Sequence, residues 1–355
     1  MKKILNSLTS KRLLFYIIGL VAFLVFPLVI NDEYLRHLAI LGMIFAIVAS
    51  NWDLTLGYAG LFNFSHSTFF GLGAYTSGIL AVRFGVSPWI GILAGVIVAI
   101  IMSAIVSIPA IRLRGIYVAL LTFAFSQLVL LLILSQHELT GGLQGLTGVP
   151  RLMIGDFNFH ESRVAYFYLI GALLLGSTIY LRRLVTSNFG LSLIALRDFE
   201  EYAISRGVPL AKQRFLAFIY SAAFTGAAGA FFAHYLVVAS PEFFGFSFGT
   251  LFLSMVLVGG SATIYGPILA GILMTYVSEL LAGLGPIRFM LVAALIIITM
   301  RFFPQGIWGF IQQRFSKSPT TSEFLDVDTS VEPPLSTEVA EGLSQQHNQP
   351  PQTGK

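Results

Sequence analysis

Side chains able to do chemistry are scattered through long apolar runs of this sequence. Asp53, Glu138, His234, Glu242, Glu279 and Arg288 fall near or within such runs. Ionisable groups paired inside a membrane can relay protons. Most of these six lie close to predicted helix ends, where water or headgroups would satisfy them. No acid–His or acid–Lys pair stands at helical spacing in the middle of a run, which weighs against proton-coupled chemistry. A denser group follows Asn51. Asn63, Ser65, His66, Ser67 and Thr68 precede Gly71, Gly73, Ala74, Ser77 and Gly78, with Tyr75 among them. Taken alone, His66 reads as a locally satisfied packing residue. Taken together, so many polar groups are costly in hydrocarbon without a cavity. The segment therefore reads as a broken helix beside a solute path, lined by Asn63, Ser65, His66, Gly71, Gly73 and Tyr75. A second Gly-rich stretch adds Gly259 and Gly260.

A third constellation is polar: "SNFGLSLIALRDFEEYAISRGVPLAKQRFLAF". Ala195, Asp198, Tyr202 and Ser205 recur at three- and four-residue steps, so a helix is expected around Leu193–Ser205. Arg197 and Glu201 stand four apart and would pair on its face. Gly207-Val208-Pro209 ends it sharply. Enzyme signatures are missing. The sequence contains no G-x-x-x-x-G-K-[ST] phosphate loop, no H-E-x-x-H and no G-x-S-x-G. Its six His show no metal-ligand spacing, and there is no Cys. No catalytic residue, metal or cofactor is expected, and ATP hydrolysis, if it drives this protein, must occur on another chain.

These groups need elements to hold them, and composition says which. Of 355 residues, 56% are hydrophobic and only 11% charged. Soluble domains carry about 25% charged residues, so lipid must cover much of this surface. The expected fold is all-α integral membrane. About ten spans fit, near 12–30, 35–51, 56–82, 87–110, 115–135, 164–182, 215–238, 246–262, 265–283 and 286–303. The third is broken near 57–68, where Gly57, Gly60, Asn63, Ser65 and His66 interrupt it. Irregular backbone at membrane depth survives only in protein or beside a wet cavity. "GYAGLFNFSHSTFFGLGAY" and "VGGSATIYGPILAGIL" echo one another and suggest loosely repeated halves.

Basic residues set the topology. With the N-terminus inside, 16 of the 21 Lys and Arg fall in cytoplasmic segments and five outside, as the positive-inside rule asks. Both termini are then cytoplasmic. This distribution, not nucleic-acid binding, accounts for the net charge of +4. Leu13–Ile30 lacks a small-x-small cleavage site and reads as a retained first helix. The membrane region is 1–315, with an outer loop at 136–163 and a cytoplasmic loop at 183–214. The 316–355 segment, rich in Ser, Thr, Pro, Gln and acids, is expected to be a disordered cytoplasmic tail.

In order and spacing these stretches resemble branched-chain amino acid type ABC importer permeases, from about Asp53 to Phe310. "GYAGLFNFSHSTFFGLGAYTSGIL" is similar to that family's G-x-x-G-x-x-S-x-G-H-x-x-F-x-x-x-G-A-Y segment. "LRGIYVALLTFAF", "TGGLQGLTGVP", "ALRDFEEYAISRGVPLAKQRFLAF" and "FFPQGIWG" match further motifs. Asn63 stands where the family usually has Ser, and Phe64 where it has Gly. The resemblance implies an inner-membrane permease working with a second related permease, two cytosolic ATP-binding subunits and an extracytoplasmic solute-binding protein. It implies that Arg197, Asp198, Glu200, Glu201 and Gly207 form the loop that contacts the ATPase. The implied solutes are branched-chain or other neutral amino acids, with urea or short amides as the alternative. An ion-coupled secondary transporter working without an ATPase, or a scaffold with no transport, are the readings from other classes.

Overall fold

A computed structural model describes residues 32–154, 157–159, 163–285, 287–302 and 306–315, with Phe23, Val25–Pro27 and Val29 before them. The expected first span is therefore mostly outside the described residues, and the expected tail entirely so. Twelve helices carry the argument: α1 (Glu33–Asp53), α2 (Ser65–Phe84), α3 (Pro88–Ala110), α4 (Ile116–Ser135), α5 (Arg163–Val185), α6 (Asn188–Asp198), α7 (Glu200–Ser205), α8 (Leu210–Leu236), α9 (Phe246–Gly259), α10 (Tyr265–Leu280), α11 (Ile287–Phe302) and α12 (Gly306–Phe315).

Their ends follow local chemistry. Asp32 accepts the Tyr34 amide at 2.8 Å and caps α1. Pro88 opens α3, where a missing N–H costs nothing. Gly85 takes a left-handed φ of 62° to end α2.

The centre of the fold is α1. From Gly42 on it is buried on every side: Ile44, Ile47, Val48, Ala49 and Trp52 are buried, and so are the polar Ser50, Asn51 and Asp53. It packs against α5, α8, α9 and α10, while α2, α3 and α8 form a second packed group. Small residues make the second group possible: a Cβ on Gly73 would strike the Gly226 carbonyl, and one on Gly95 would lie 2.8 Å from the Gly73 carbonyl. Phenylalanines tie the groups together. Rings of Phe45, Phe70, Phe232, Phe243, Phe248 and Phe252 sit with paired centroids 5.2–6.5 Å apart. Outward, Ile97, Ile101, Ile105 and Ile108 form an exposed stripe on α3, and Leu120, Leu128, Leu131 and Leu132 one on α4. Such faces need a lipid solvent.

The expected count of about ten spans is not confirmed among the described residues. Five helices are long and apolar enough to cross a membrane: α1 with its continuation to Tyr58, α3, α4, α5 and α8. A 20-residue length suits α2, but its polar side chains set it apart. The 14 residues of α9 and 16 of α10 reach only about 21–24 Å at 1.5 Å per residue, short of the ~30 Å hydrocarbon core. The expected third span is broken, as its sequence implies. A π-turn at Leu54–Tyr58 extends α1, residues 59–64 leave the helix, and α2 starts at Ser65. The outer-loop segment is pinned by short antiparallel pairings of Leu146–Thr147 with Val238–Ala239 and Met153–Ile154 with Phe157–Asn158.

Candidate functional site

The break after α1 is built around Asn63. Its Nδ2 donates to Thr55 Oγ1 at 2.8 Å and to the Leu61 carbonyl at 3.4 Å. Its Oδ1 accepts from Ser65 Oγ at 3.2 Å and from His66 Nδ1 at 3.0 Å. All of these side chains are buried. Asn63 thus ties together the side chains of Thr55, Ser65 and His66 across the break and reaches one backbone carbonyl, that of Leu61. From α4, Thr122 Oγ1 accepts the Phe64 amide at 2.9 Å, and Ser126 Oγ accepts from Thr68 at 2.6 Å. Thr122 and Ser126 are four residues apart, so one face of α4 satisfies broken backbone inside an apolar molecule. His66 stacks on Trp52 with ring centroids 5.2 Å apart and planes 6° from parallel. His66 Nε2 and Trp52 Nε1 have no hydrogen-bond partner among the described residues.

A second break separates α9 from α10, and Asp53 joins it to the first. Its Oδ1 accepts the Ala262 amide at 2.8 Å and its Oδ2 the Thr263 amide at 3.0 Å. Asp53 is 0% exposed. Water does not satisfy it, contrary to the interfacial placement its sequence position suggests. From another helix it satisfies two backbone amides of the loop that leads into α10. Ala262 there holds a left-handed φ of 59°. His234, also expected near water, is buried between Ser77 Oγ at 2.7 Å and the Pro150 carbonyl at 2.6 Å. Glu138 and Glu242 are exposed, as expected.

The polar segment folds as α6 and α7, broken at Phe199 (φ −144°, ψ 73°). This break removes the expected Arg197–Glu201 pair. Arg197 Nε instead donates to Asp198 Oδ1 at 2.8 Å and its Nη2 to Oδ2 at 3.3 Å, while Nη1 donates to the Gly57 carbonyl at 2.6 Å. The Arg197 guanidinium holds the Asp198 carboxyl below its ordinary pKa. Glu200 Oε2 accepts from Arg214 at 2.8 Å. Arg114 reaches Glu200 Oε1 at 2.9 Å, but off the hydrogen-bond direction, so that contact is ionic only. Arg197 and Glu200 thus anchor the segment to the membrane helices. What faces outward is Phe199, 72% exposed, Tyr202, 60% exposed, and Glu201. Gly207 takes a φ of +87° after α7, where the sharp end was expected.

The expected path residues separate into distinct places. Asn63, Ser65 and His66 form the buried hub. Gly71 lies under the Phe244 ring, where a Cβ would come within 2.6 Å, and Gly73 lies against Gly226. Tyr75 is buried beside Phe244, with ring centroids 5.7 Å apart. Gly259 abuts Gly266 at the second break, where Gly260 takes a φ of 104°. An open cavity of about 500 Å³ lies beside the first break, lined by Phe62, Phe64, Ile116, Leu120, Phe123 and Phe246. Sequence reasoning missed this wall and the anchors Arg114 and Arg214. The alternation Phe62-Asn63-Phe64 was its only local signal.

Residues 34–300 match the family model described as "branched-chain amino acid transport system / permease component". The chain is 28% identical over 325 residues to the high-affinity branched-chain amino acid transport system permease protein LivM of Escherichia coli, covering 85% of this chain and 76% of that one. It is 25% identical over 289 residues to the permease protein LivH of the corresponding Salmonella typhimurium system, covering 76% and 92%. No solved structure matches it significantly.

Proposed function

The chain belongs to the branched-chain amino acid transport permease family, and on that footing we propose that it is the membrane-spanning subunit of an ATP-driven importer for branched-chain or other neutral amino acids. It works in the inner membrane with both termini in the cytoplasm. A second related permease, two cytosolic ATP-binding subunits and an extracytoplasmic solute-binding protein complete the machine. The two halves of the chain are loose repeats, and the breaks at 54–64 and 260–264 are their counterparts. The path runs beside Asn63, Ser65, His66, Gly71, Gly73 and Tyr75 on one side and Gly259 and Gly260 on the other.

One observation carries the reading beyond family membership. The α6–α7 segment is braced to the membrane helices through Arg197 and Glu200, yet leaves Phe199 and Tyr202 exposed at its surface. Aromatic rings this exposed are costly in water and suit a partner's apolar pocket. Glu201 beside them adds charge at the rim. Arg197, Asp198, Glu200 and Gly207 shape and hold this surface, and Phe199, Glu201 and Tyr202 touch the ATPase. Closure of the ATPase pair then moves the helices as rigid bodies.

The test is reconstitution with the two ATPase subunits, the second permease and the binding protein, followed by solute-stimulated ATP hydrolysis. Leucine-loaded binding protein is expected to stimulate hydrolysis. Phe199→Ala with Tyr202→Ala is expected to lower ATPase-subunit retention while leaving membrane insertion intact. Stimulation by urea or short amides alone would move the solute assignment. Unchanged retention would remove the docking assignment.

A further inference from the structure

We infer that Arg197 is a positioning residue linking the α6–α7 segment to both helix breaks at once, through a continuous path from Arg197 to Gly57, Asp53 and the 260–264 loop. This inference rests on the reading of α6–α7 as the ATPase-facing element and assigns the internal route by which that element acts.

The path has no gap. The Arg197 fork is fixed by two hydrogen bonds to Asp198, which aims Nη1 at the Gly57 carbonyl 2.6 Å away. Its aliphatic stem lies over Gly60, where a Cβ would come within 2.7 Å of Arg197 Cγ and where φ is +66°. Gly57 in turn leaves no space: a Cβ there would strike both the Asp53 carboxylate and the Ala262 amide. Asp53 holds the Ala262 and Thr263 amides. Two consecutive residues leading into α10, Ala262 and Thr263, are therefore held by Asp53, which packs against the Gly57 that Arg197 grips.

Physical reasons favour transmission at this place. A π-turn and a non-Gly left-handed residue are both strained geometries that persist only when neighbours over-determine them. Each break ends a helix, so a small displacement there re-aims the helix beyond it. The Gly57 carbonyl and the Ala262 and Thr263 amides are backbone groups, so the link reads main-chain position and not side-chain rotamer. The second anchor, Glu200 to Arg114 and Arg214, joins the segment to the α3–α4 turn and the start of α8. It leaves the breaks untouched, so Arg197 alone of the two anchors addresses them.

Coupling along a path must be shown by its energetics and not by adjacency. The first experiment uses the full chain alone in nanodiscs, with hydrogen exchange read at Ala262 and Thr263. Arg197→Gln removes a charge-assisted hydrogen bond and is expected to accelerate exchange at these amides about tenfold, although Arg197 does not touch them. Asp198→Asn, a milder change, is expected to move them less in the same direction. Arg197→Gln added to Asp53→Asn is expected to produce no further acceleration there, because both act through one path. Acceleration confined to 57–60, or effects that multiply in the double variant, would overturn the inference. The second experiment uses the reconstituted transporter. Arg197→Gln is expected to lower uptake per ATP hydrolysed about tenfold while the ATPase subunits still co-purify. Loss of co-purification would make Arg197 a partner contact and overturn it as well. A wild-type assembly without ATP-driven uptake would remove the importer reading, while the exchange result would still decide the path.

Discussion

Asp53→Asn changes one atom of an isosteric side chain and tests how the two breaks are joined. The carboxylate meets two backbone amides with two separate oxygens, at 2.8 and 3.0 Å. The amide of Asn offers one oxygen and one NH2, so one buried N–H is left facing another donor. An orphaned buried donor costs about 1–3 kcal/mol, or roughly a 5- to 150-fold shift in the opening equilibrium of the 260–264 loop. The Ala262 backbone, held left-handed at φ 59°, should be the first to relax. Thermal unfolding of purified protein in one detergent compares the wild type with Asp53→Asn and Asp53→Leu. The Leu variant orphans both amides, so its midpoint should fall roughly twice as far as that of Asn, within the same ~1–3 kcal/mol per donor. Gly57→Ala is an independent route to the same defect, because the added methyl needs the space of the carboxylate. Asp53→Asn and Gly57→Ala both melting with the wild type would refute the reasoning.

Other outcomes follow from neighbouring geometry. Asn63→Leu should lower the unfolding midpoint more than Ser65→Ala, since it strips partners from Thr55, Ser65 and His66 together, each buried group costing about 1–3 kcal/mol; equal midpoints would count against Asn63 as the hub. Gly73→Val should abolish monodisperse protein on size exclusion, because the side chain overlaps the Gly226 backbone. Gly176→Ala, in open space on α5, should instead raise the midpoint by a helix-propensity gain of about 0.5–1 kcal/mol. Arg214 is 10% exposed and Arg114 71%, so Arg214→Ala should destabilise the α6–α7 segment to limited proteolysis while Arg114→Ala leaves the pattern close to wild type.

How far the sequence reveals this arrangement depends on where each partner lies along the chain. Helices α1, α3, α4, α5 and α8 were legible because apolar runs longer than about 17 residues have few other uses. The interruption near 57–68 was legible too, since Gly57, Gly60 and Asn63 crowd a stretch that should otherwise be apolar. Asp53 was misplaced at a water interface because it sits at the end of one run, and its partners are backbone amides 209 and 210 residues away. Backbone groups leave no residue-type signal. The Arg197–Glu201 spacing promised a helix-face pair, and the break at Phe199 redirected Arg197 to Gly57. No Gly or Pro marks that break. The ends of α9 and α10 come three residues before the expected 262 and 283, because Gly260 turns the chain at φ 104° after α9 and a 3-10 turn at Ala282–Leu284 follows α10.

The most direct test of the importer account is radiolabelled leucine uptake into proteoliposomes holding this chain, its companion permease and both ATPase subunits, with binding protein supplied on the extracytoplasmic face. The account predicts accumulation that needs ATP on the opposite face and stops when either ATP or binding protein is withheld. Uptake by this chain alone, driven by a proton or sodium gradient without ATP, would contradict it.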